Sequence, residues 1–245
     1  MTFIFRRFEL DDLLPNASIL IVGNQSNNKS KIVRDIIFHY KKDCVVIGND
    51  KLHLYNTKEL EKYVKYHEGC NGKVIDQYIR YNTESKKSSQ CFRLCWESLI
   101  NCCCLLETDD ENENYTECNN MLILDDCLDN HPSSKNINIL TETTSGLIMT
   151  FSSIDHLFLD PRYSIYYDYI FLLYDPYTKE SKESEKILEI MYEKYCNIIP
   201  EYGLFKTTFL NICKDECAMV IARDGTEELT TKIFWFPIVN IKKEL

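Results

Sequence analysis

No apolar run in this chain approaches the ~20 residues that a membrane-spanning helix requires, which excludes a helical membrane protein. No secretory leader is expected either, because Met1-Thr2-Phe3-Ile4-Phe5-Arg6-Arg7 runs at once into acidic residues rather than a long apolar core. A soluble intracellular protein is therefore expected. Positive charge is in deficit, with a formal net charge of -10. That balance argues against a bulk electrostatic grip on DNA, which needs a basic face, though not against a local basic patch inside an oligomeric ring. The 12 cysteines lack the C-x2-C spacing of a zinc knuckle. Their tightest groups are Cys91-x3-Cys95, Cys102-Cys103-Cys104 and Cys213-x3-Cys217, and reduced thiols in a cytosol-like compartment are the simpler expectation. Glycine and proline are scarce, 7 and 6, while tyrosine reaches 16, a bias that an AT-rich genome would produce without any chemical meaning.

What is present is the alternation of an α/β protein. A length of 245 residues suffices for one full core. Ile19-Leu20-Ile21-Val22 is a short run with the pattern of a strand buried on both faces of a parallel sheet. From Ser30 to Lys41 the spacing becomes helical, with Ile32, Val33, Ile36, Ile37 and Tyr40 on one stripe. Cys44-Val45-Val46-Ile47 reads as a second strand, and 60–81 reads as mostly helical. The segment 84–120 is mixed, and the acidic stretch Glu107 to Asn114 within it predicts a solvated loop insertion, around 107–120. Further strands are expected at Met121-Leu122-Ile123-Leu124, at 146–151 and at 169–173. Ser181 to Ile199 predicts an amphipathic helix with Ile187, Leu188, Met191, Tyr195 and Ile198 on one face and Pro200 as its stop. Ala218 to Ile221 and Lys232 to Phe236 read as a closing strand pair with a turn at Asp224-Gly225. The expected architecture is a single domain over 1–245, a mostly parallel central sheet between helices with that strand pair at its C-terminal end.

Two segments carry chemistry. The first strand leads into Gly23-Asn24-Gln25-Ser26-Asn27-Asn28-Lys29-Ser30 at the start of a helix. A phosphate-binding loop works because successive backbone N–H groups form an anion nest at a helix N-terminus, with Lys reaching the phosphates and Ser or Thr on Mg²⁺. Lys29 and Ser30 keep both side-chain roles and Gly23 the first turn, but Asn28 stands where Gly normally precedes Lys. Asparagine visits positive φ more readily than most residues, so the loop remains compatible with phosphate at reduced affinity. A polar strand-to-helix turn accounts for the same residues. The second segment is Ile123-Leu124-Asp125-Asp126-Cys127, a buried strand ending in acids. Asp125 is placed to hold Mg²⁺ through water and Asp126 to polarise an attacking water, although acids at strand ends are common.

In their serial order these segments resemble the DNA-packaging ATPases of large nucleocytoplasmic DNA viruses, the poxvirus and giant-virus branch of the FtsK–HerA superfamily. The resemblance runs from about Phe8 to Val239. It is carried by Phe8-Glu9-Leu10-Asp11-Asp12-Leu13-Leu14, the Lys-Ser loop, Val45-Val46-Ile47, Tyr55, the stretch ending near Gln77, and above all Ile123-Leu124-Asp125-Asp126-Cys127-Leu128. Pro161-Arg162, then Tyr167-Asp168-Tyr169-Ile170-Phe171-Leu172-Leu173, the segment Ile187 to Tyr195, Phe205, Phe209 and Ile233-Phe234-Trp235 follow in family order. The resemblance implies a P-loop NTPase of RecA-like type that binds ATP and Mg²⁺ and couples hydrolysis to translocation of double-stranded DNA into a capsid. It further implies a ring-forming homo- or hetero-oligomer working with capsid or other packaging proteins, in the host cytoplasm (the viral factory) or the virion. Gly23 to Ser30 would bind nucleotide, Ser30 and Asp125 the metal, and Lys29, Asp126 and Arg162 would be catalytic.

Departures from the family pattern point the other way. The family carries a Gly-Arg-His stretch where this chain has Thr141-Glu142-Thr143-Thr144-Ser145, so the arginine suited to act across a subunit boundary is missing. The next family strand ends in a Gln that senses the γ-phosphate, whereas here Thr150-Phe151 leads to Ser152. An arginine finger alone is worth about 10³–10⁵ in rate in related systems, and Arg162 is the remaining candidate for that work. With Asn28 in place of Gly, these changes favour nucleotide binding over fast hydrolysis. A catalytically degenerate paralogue kept as a structural or regulatory subunit is the alternative. A stand-alone P-loop kinase is disfavoured by the lack of an arginine-rich lid segment.

Overall fold

Short, wholly apolar runs build the centre of this molecule. In the computed structural model, which describes residues 6–23, 26–48, 55, 57–68, 121–126, 146–151, 167–174, 182–196, 199–223 and 231–238, they form a nine-stranded sheet. The strands are β1 (Arg6–Arg7), β2 (Ser18–Val22), β3 (Cys44–Gly48), β4 (Val64–Glu68), β5 (Met121–Asp125), β6 (Leu147–Phe151), β7 (Tyr169–Leu172), β8 (Cys217–Arg223) and β9 (Thr231–Pro237). Among the described residues three α-helices accompany them: α1 (Ser26–Tyr40), α2 (Lys182–Met191), which continues into a π-helical turn at Tyr192–Cys196, and α3 (Tyr202–Lys214).

Across the sheet the order is β1-β9-β8-β7-β2-β6-β5-β3-β4. From β7 to β4 all pairings are parallel. β8 and β9 form the expected closing pair, with β8 antiparallel to both β9 and β7. One strand, β6, lies between β2 and the acid-tipped β5, and β7 flanks β2 on the other side. This is an α/β fold, a mostly parallel central sheet between helices, as the alternation of the sequence predicted. Because β2, β6 and β5 run parallel, their carboxyl ends share one edge, the edge at which open α/β sheets build their sites.

Alternation along each strand divides the core into two layers, since successive side chains point to opposite faces. Leu20 and Val22 pack with Leu122, Leu124 and Met149 toward α2 and α3, where Leu188, Met191, Phe205 and Phe209 close that face. Ile19 and Ile21 pack with Ile123 and Ile148 on the opposite face against Ile32, Val33, Ile36 and Ile37 of α1. The start of β7 is pinned beside β2 by Asp168, whose carboxylate accepts hydrogen bonds from Ser18 N (2.7 Å) and Ser18 Oγ (2.8 Å).

Three expectations change. The stretch expected to be mostly helical from 60 is strand over Val64–Glu68. Val64, Tyr66 and the intervening residues extend the parallel sheet from β3, with Cys44 opposite Val64 and Gly48 opposite Glu68, so tertiary pairing overrides local helical spacing. Helix α1 begins at Ser26 rather than Ser30. Helix α3 was legible only as Phe205 and Phe209, which with Cys213 form a buried stripe at intervals of four. The expected 181–199 helix forms as α2 and the π-helical turn, with Leu188 and Met191 buried. The side chain of Tyr195, Ile198, the acidic segment 107–120 and the turn at Asp224-Gly225 lie outside the described residues. Among the described residues no helix is long and apolar enough to cross a membrane.

Candidate functional site

At its carboxyl end β2 passes into Gly23, which packs against the end of β7. A Cβ on Gly23 would stand 2.7 Å from both Leu173 Cβ and Leu173 O, so the requirement for glycine comes from close approach. Helix α1 then starts within the presumed loop, and Ser26, Asn27, Asn28, Lys29 and Ser30 all belong to its first turns. Asn28 is therefore helical and is not among the residues with positive φ. Its Oδ1 instead accepts a hydrogen bond from Lys31 Nζ at 3.2 Å. The left-handed conformation expected to make Asn a tolerated substitute for Gly is not used. Asn24 and Gln25 lie outside the described residues.

Lys29 and Ser30 face inward, 0% and 1% exposed. Lys29 Nζ lies 2.7 Å from Asp126 Oδ1, an ion pair whose carboxylate side chain is 12% exposed. Asp126 follows the last residue of β5 and turns the chain with φ of 50°, a conformation that Asp tolerates better than most residues. Its N–H donates to Thr150 O at 3.2 Å and to Thr150 Oγ1 at 3.0 Å. The two segments identified from sequence thus meet through a direct contact between their charged groups.

Asp125 is fully buried, and both its oxygens are engaged. Thr150 Oγ1 donates to Oδ1 at 2.5 Å and Tyr55 Oη donates to Oδ2 at 2.8 Å. Ser30 completes the chain with a hydrogen bond to the Tyr55 hydroxyl. Burial holds the Tyr55 phenol well above the usual tyrosine range, the Asp125 charge and hydrogen bond add to this, and the Ser30 hydrogen bond opposes it. Tyr55 is accordingly a neutral donor.

The donor set can be tested against the groups the resemblance implies. Ser30 and Asp125 offer hard oxygens, which suit Mg²⁺, an ion that keeps several waters and takes few protein ligands. Among the described residues no cluster of three or more His, Cys, Asp or Glu could hold a metal by itself. Ser30 and Asp125 are the oxygen donors that would hold a metal arriving with phosphate oxygens, and Lys29 is the cation that would meet the phosphates. One ammonium and two carboxyl groups form the cluster, so a polyanion enters it most favourably with its charge neutralised by a cation. Arg162 lies outside the described residues, as do Cys91, Cys95 and Cys102 to Cys104. Cys213 is buried, with its thiol pushed up to about 12 by that burial. Cys217 starts β8 and is half-buried, so this pair reads as one core thiol and one thiol at a strand start.

No protein-family model matches the chain. An uncharacterized protein of Acanthamoeba polyphaga mimivirus is 24% identical over 96% of this chain and 77% of its own length. Among solved structures, the pCW3 conjugation coupling protein TcpA, in its monomer form with ATPγS, aligns with a TM-score of 0.48 and 12% identity. That alignment covers 91% of this chain, which spans 61% of the TcpA chain.

Sequence reasoning missed two residues of the site. Thr150 was noted only as a departure from a Gln-ended strand, yet the parallel register sets it opposite Asp125. Tyr55 was noted only as a family position, and no local spacing signals its contact with a residue 70 positions away.

Proposed function

We propose that this chain binds Mg²⁺–ATP at the carboxyl edge of β2, β6 and β5 and is a P-loop ATPase of the viral DNA-packaging kind. The observation that carries this reading is the ion pair between Lys29, buried on the first turns of α1, and Asp126 at the tip of β5. Fixed polar groups aimed at the reacting phosphoryl centre are what phosphoryl transfer needs. Lys29 exchanges Asp126 for the β- and γ-phosphates when nucleotide enters. Asp126, released by that exchange, would accept the proton of the water that attacks the γ-phosphorus, while the bond from that phosphorus to the β–γ bridging oxygen breaks and ADP leaves. Ser30 and Asp125 would hold Mg²⁺, which would supply charge neutralisation when bound. Gly23 to Ser30 enclose the phosphates, and Arg162 is assigned the role of charge stabiliser. The partners are double-stranded DNA, threaded through an oligomeric ring, and capsid or other packaging proteins. The mimivirus relative supports a viral setting, and host cytoplasm or virion is the compartment assigned with it.

A second reading, a catalytically weak structural or regulatory subunit, is favoured by Thr150, which is committed to Asp125 and Asp126 where the family strand ends in Gln. Equilibrium binding of a fluorescent ATP analogue with Mg²⁺, run beside Lys29→Ala, tests the nucleotide site. Binding that is lost in the folded variant supports it. Absence of wild-type binding at millimolar nucleotide overturns it. DNA-stimulated turnover by the wild-type protein then separates the motor from the subunit.

A further inference from the structure

One neutral hydroxyl links the two groups expected to hold the metal. Tyr55 donates to Asp125 Oδ2 at 2.8 Å and is hydrogen-bonded to Ser30. Its ring is 1% exposed and stacks on Tyr66 of β4, with centroids 6.0 Å apart. Gly48, at the end of β3, makes room for this arrangement, because a Cβ there would lie 3.1 Å from Asp125 O and 3.5 Å from the Tyr66 hydroxyl.

A carboxylate that supports Mg²⁺ through water needs that water at hydrogen-bond distance, and Mg²⁺ retains such waters in a strict octahedral shell. The Tyr55 oxygen already stands at that distance from Asp125 and also reaches Ser30. Thr150 occupies the other carboxylate oxygen and is anchored by the β5–β6 register, in which Asp125 lies opposite Thr150. Tyr55 belongs to no strand of the sheet. Of the two engagements, the tyrosine's is the one that can yield without breaking the sheet.

We propose that Tyr55 is a positioning residue that sets the Mg²⁺ requirement of the site, its hydroxyl holding the place of a metal-bound water between Ser30 and Asp125 until Mg²⁺–nucleotide displaces it. This rests on the nucleotide reading above. Tyr55→Phe keeps the ring against Tyr66 and removes only the oxygen, and Tyr55→Leu removes the ring as well. The experiment is a Mg²⁺ titration of fluorescent ATP-analogue binding by wild type and both variants, with Lys29→Ala and an EDTA series as controls. Unfolding midpoints without nucleotide are measured in parallel.

The Mg²⁺ midpoint falls about tenfold in Tyr55→Phe, the ratio carried by one hydrogen bond to a charged group. It moves the same way in Tyr55→Leu, and the EDTA series gives the metal-free baseline against which each midpoint is read. A purely structural tyrosine would lower the unfolding midpoint and leave the Mg²⁺ midpoint where it was. That result, or a rise in Mg²⁺ requirement, overturns the role of Tyr55 while the nucleotide reading stands. Failure of wild type and both variants to bind nucleotide at all overturns both.

Discussion

Replacing Asp126 with asparagine removes the carboxylate 2.7 Å from an ammonium that has no solvent exposure. Breaking a buried ion pair by deleting one partner costs about 3–5 kcal/mol, because the remaining charge keeps its desolvation penalty and loses that partner's share of its compensation. The two ends of this pair are unequal. Lys29 is 0% exposed, whereas the Asp126 side chain is 12% exposed and can recruit water. Asp126→Asn is therefore expected to cost about 3–5 kcal/mol and Lys29→Met about 1–3 kcal/mol, the smaller penalty of a polar group still able to hydrate. The double variant replaces the pair without leaving either charge behind, so its cost falls short of the summed singles by about 1.5 kcal/mol or more. Urea unfolding at neutral pH, comparing midpoints at constant slope, measures all four proteins. Single-variant costs below about 0.5 kcal/mol, the range of an exposed pair, would refute the view that this contact is buried and structural in the nucleotide-free protein. An asymmetry in the reverse order would show that Lys29, and not Asp126, is the end that reaches solvent.

Gly23→Ala puts a methyl group 2.7 Å from Leu173 Cβ and O, and the strain of overpacking should lower stability by about 1–3 kcal/mol in thermal melts and weaken nucleotide binding. Thr150→Val preserves shape but leaves Asp125 Oδ1 without its 2.5 Å donor, a loss of about 1–3 kcal/mol that Thr150→Ser should largely restore. Asp35 on α1 is raised from 3.8 to about 6 by burial, opposed in part by Arg34 and Lys31. Its folded pKa exceeds the unfolded one, so its contribution is fully present below about 3.8 and is lost as pH rises through about 6. Asp35→Asn should therefore stabilise the protein at pH 7.5 relative to wild type and lose that advantage near pH 4, as read from unfolding midpoints across the range.

The parts of the fold that were legible are those where composition alone dictates burial. A run such as Ile19 to Val22, apolar at every position, satisfies both faces of a central parallel strand and little else. Val64–Glu68 was misread because its alternation, Val64-Lys65-Tyr66-His67, is only four residues long and follows the apolar Tyr63, and pairing with β3 decides the conformation. The start of α1 was placed too late because Ser26, Asn27 and Asn28 are poor helix formers that favour loops when judged one by one.

For the site, the sequence by itself determined the identities and order of the charged groups: Lys29 and Ser30 after one buried strand, Asp125 and Asp126 at the end of another. These are legible because a charged residue at the edge of an apolar run is conspicuous in one dimension. Only the tertiary structure decided which of them touch. The β6 strand inserted between β2 and β5 sets Thr150 level with Asp125, and helix α1 carries Lys29 across to Asp126. Tyr55 reaches Asp125 from a segment in which no periodicity marks it. Hydrogen bonds between such distant residues depend on strand order and register, which are properties of the packed sheet and leave no pattern in local sequence.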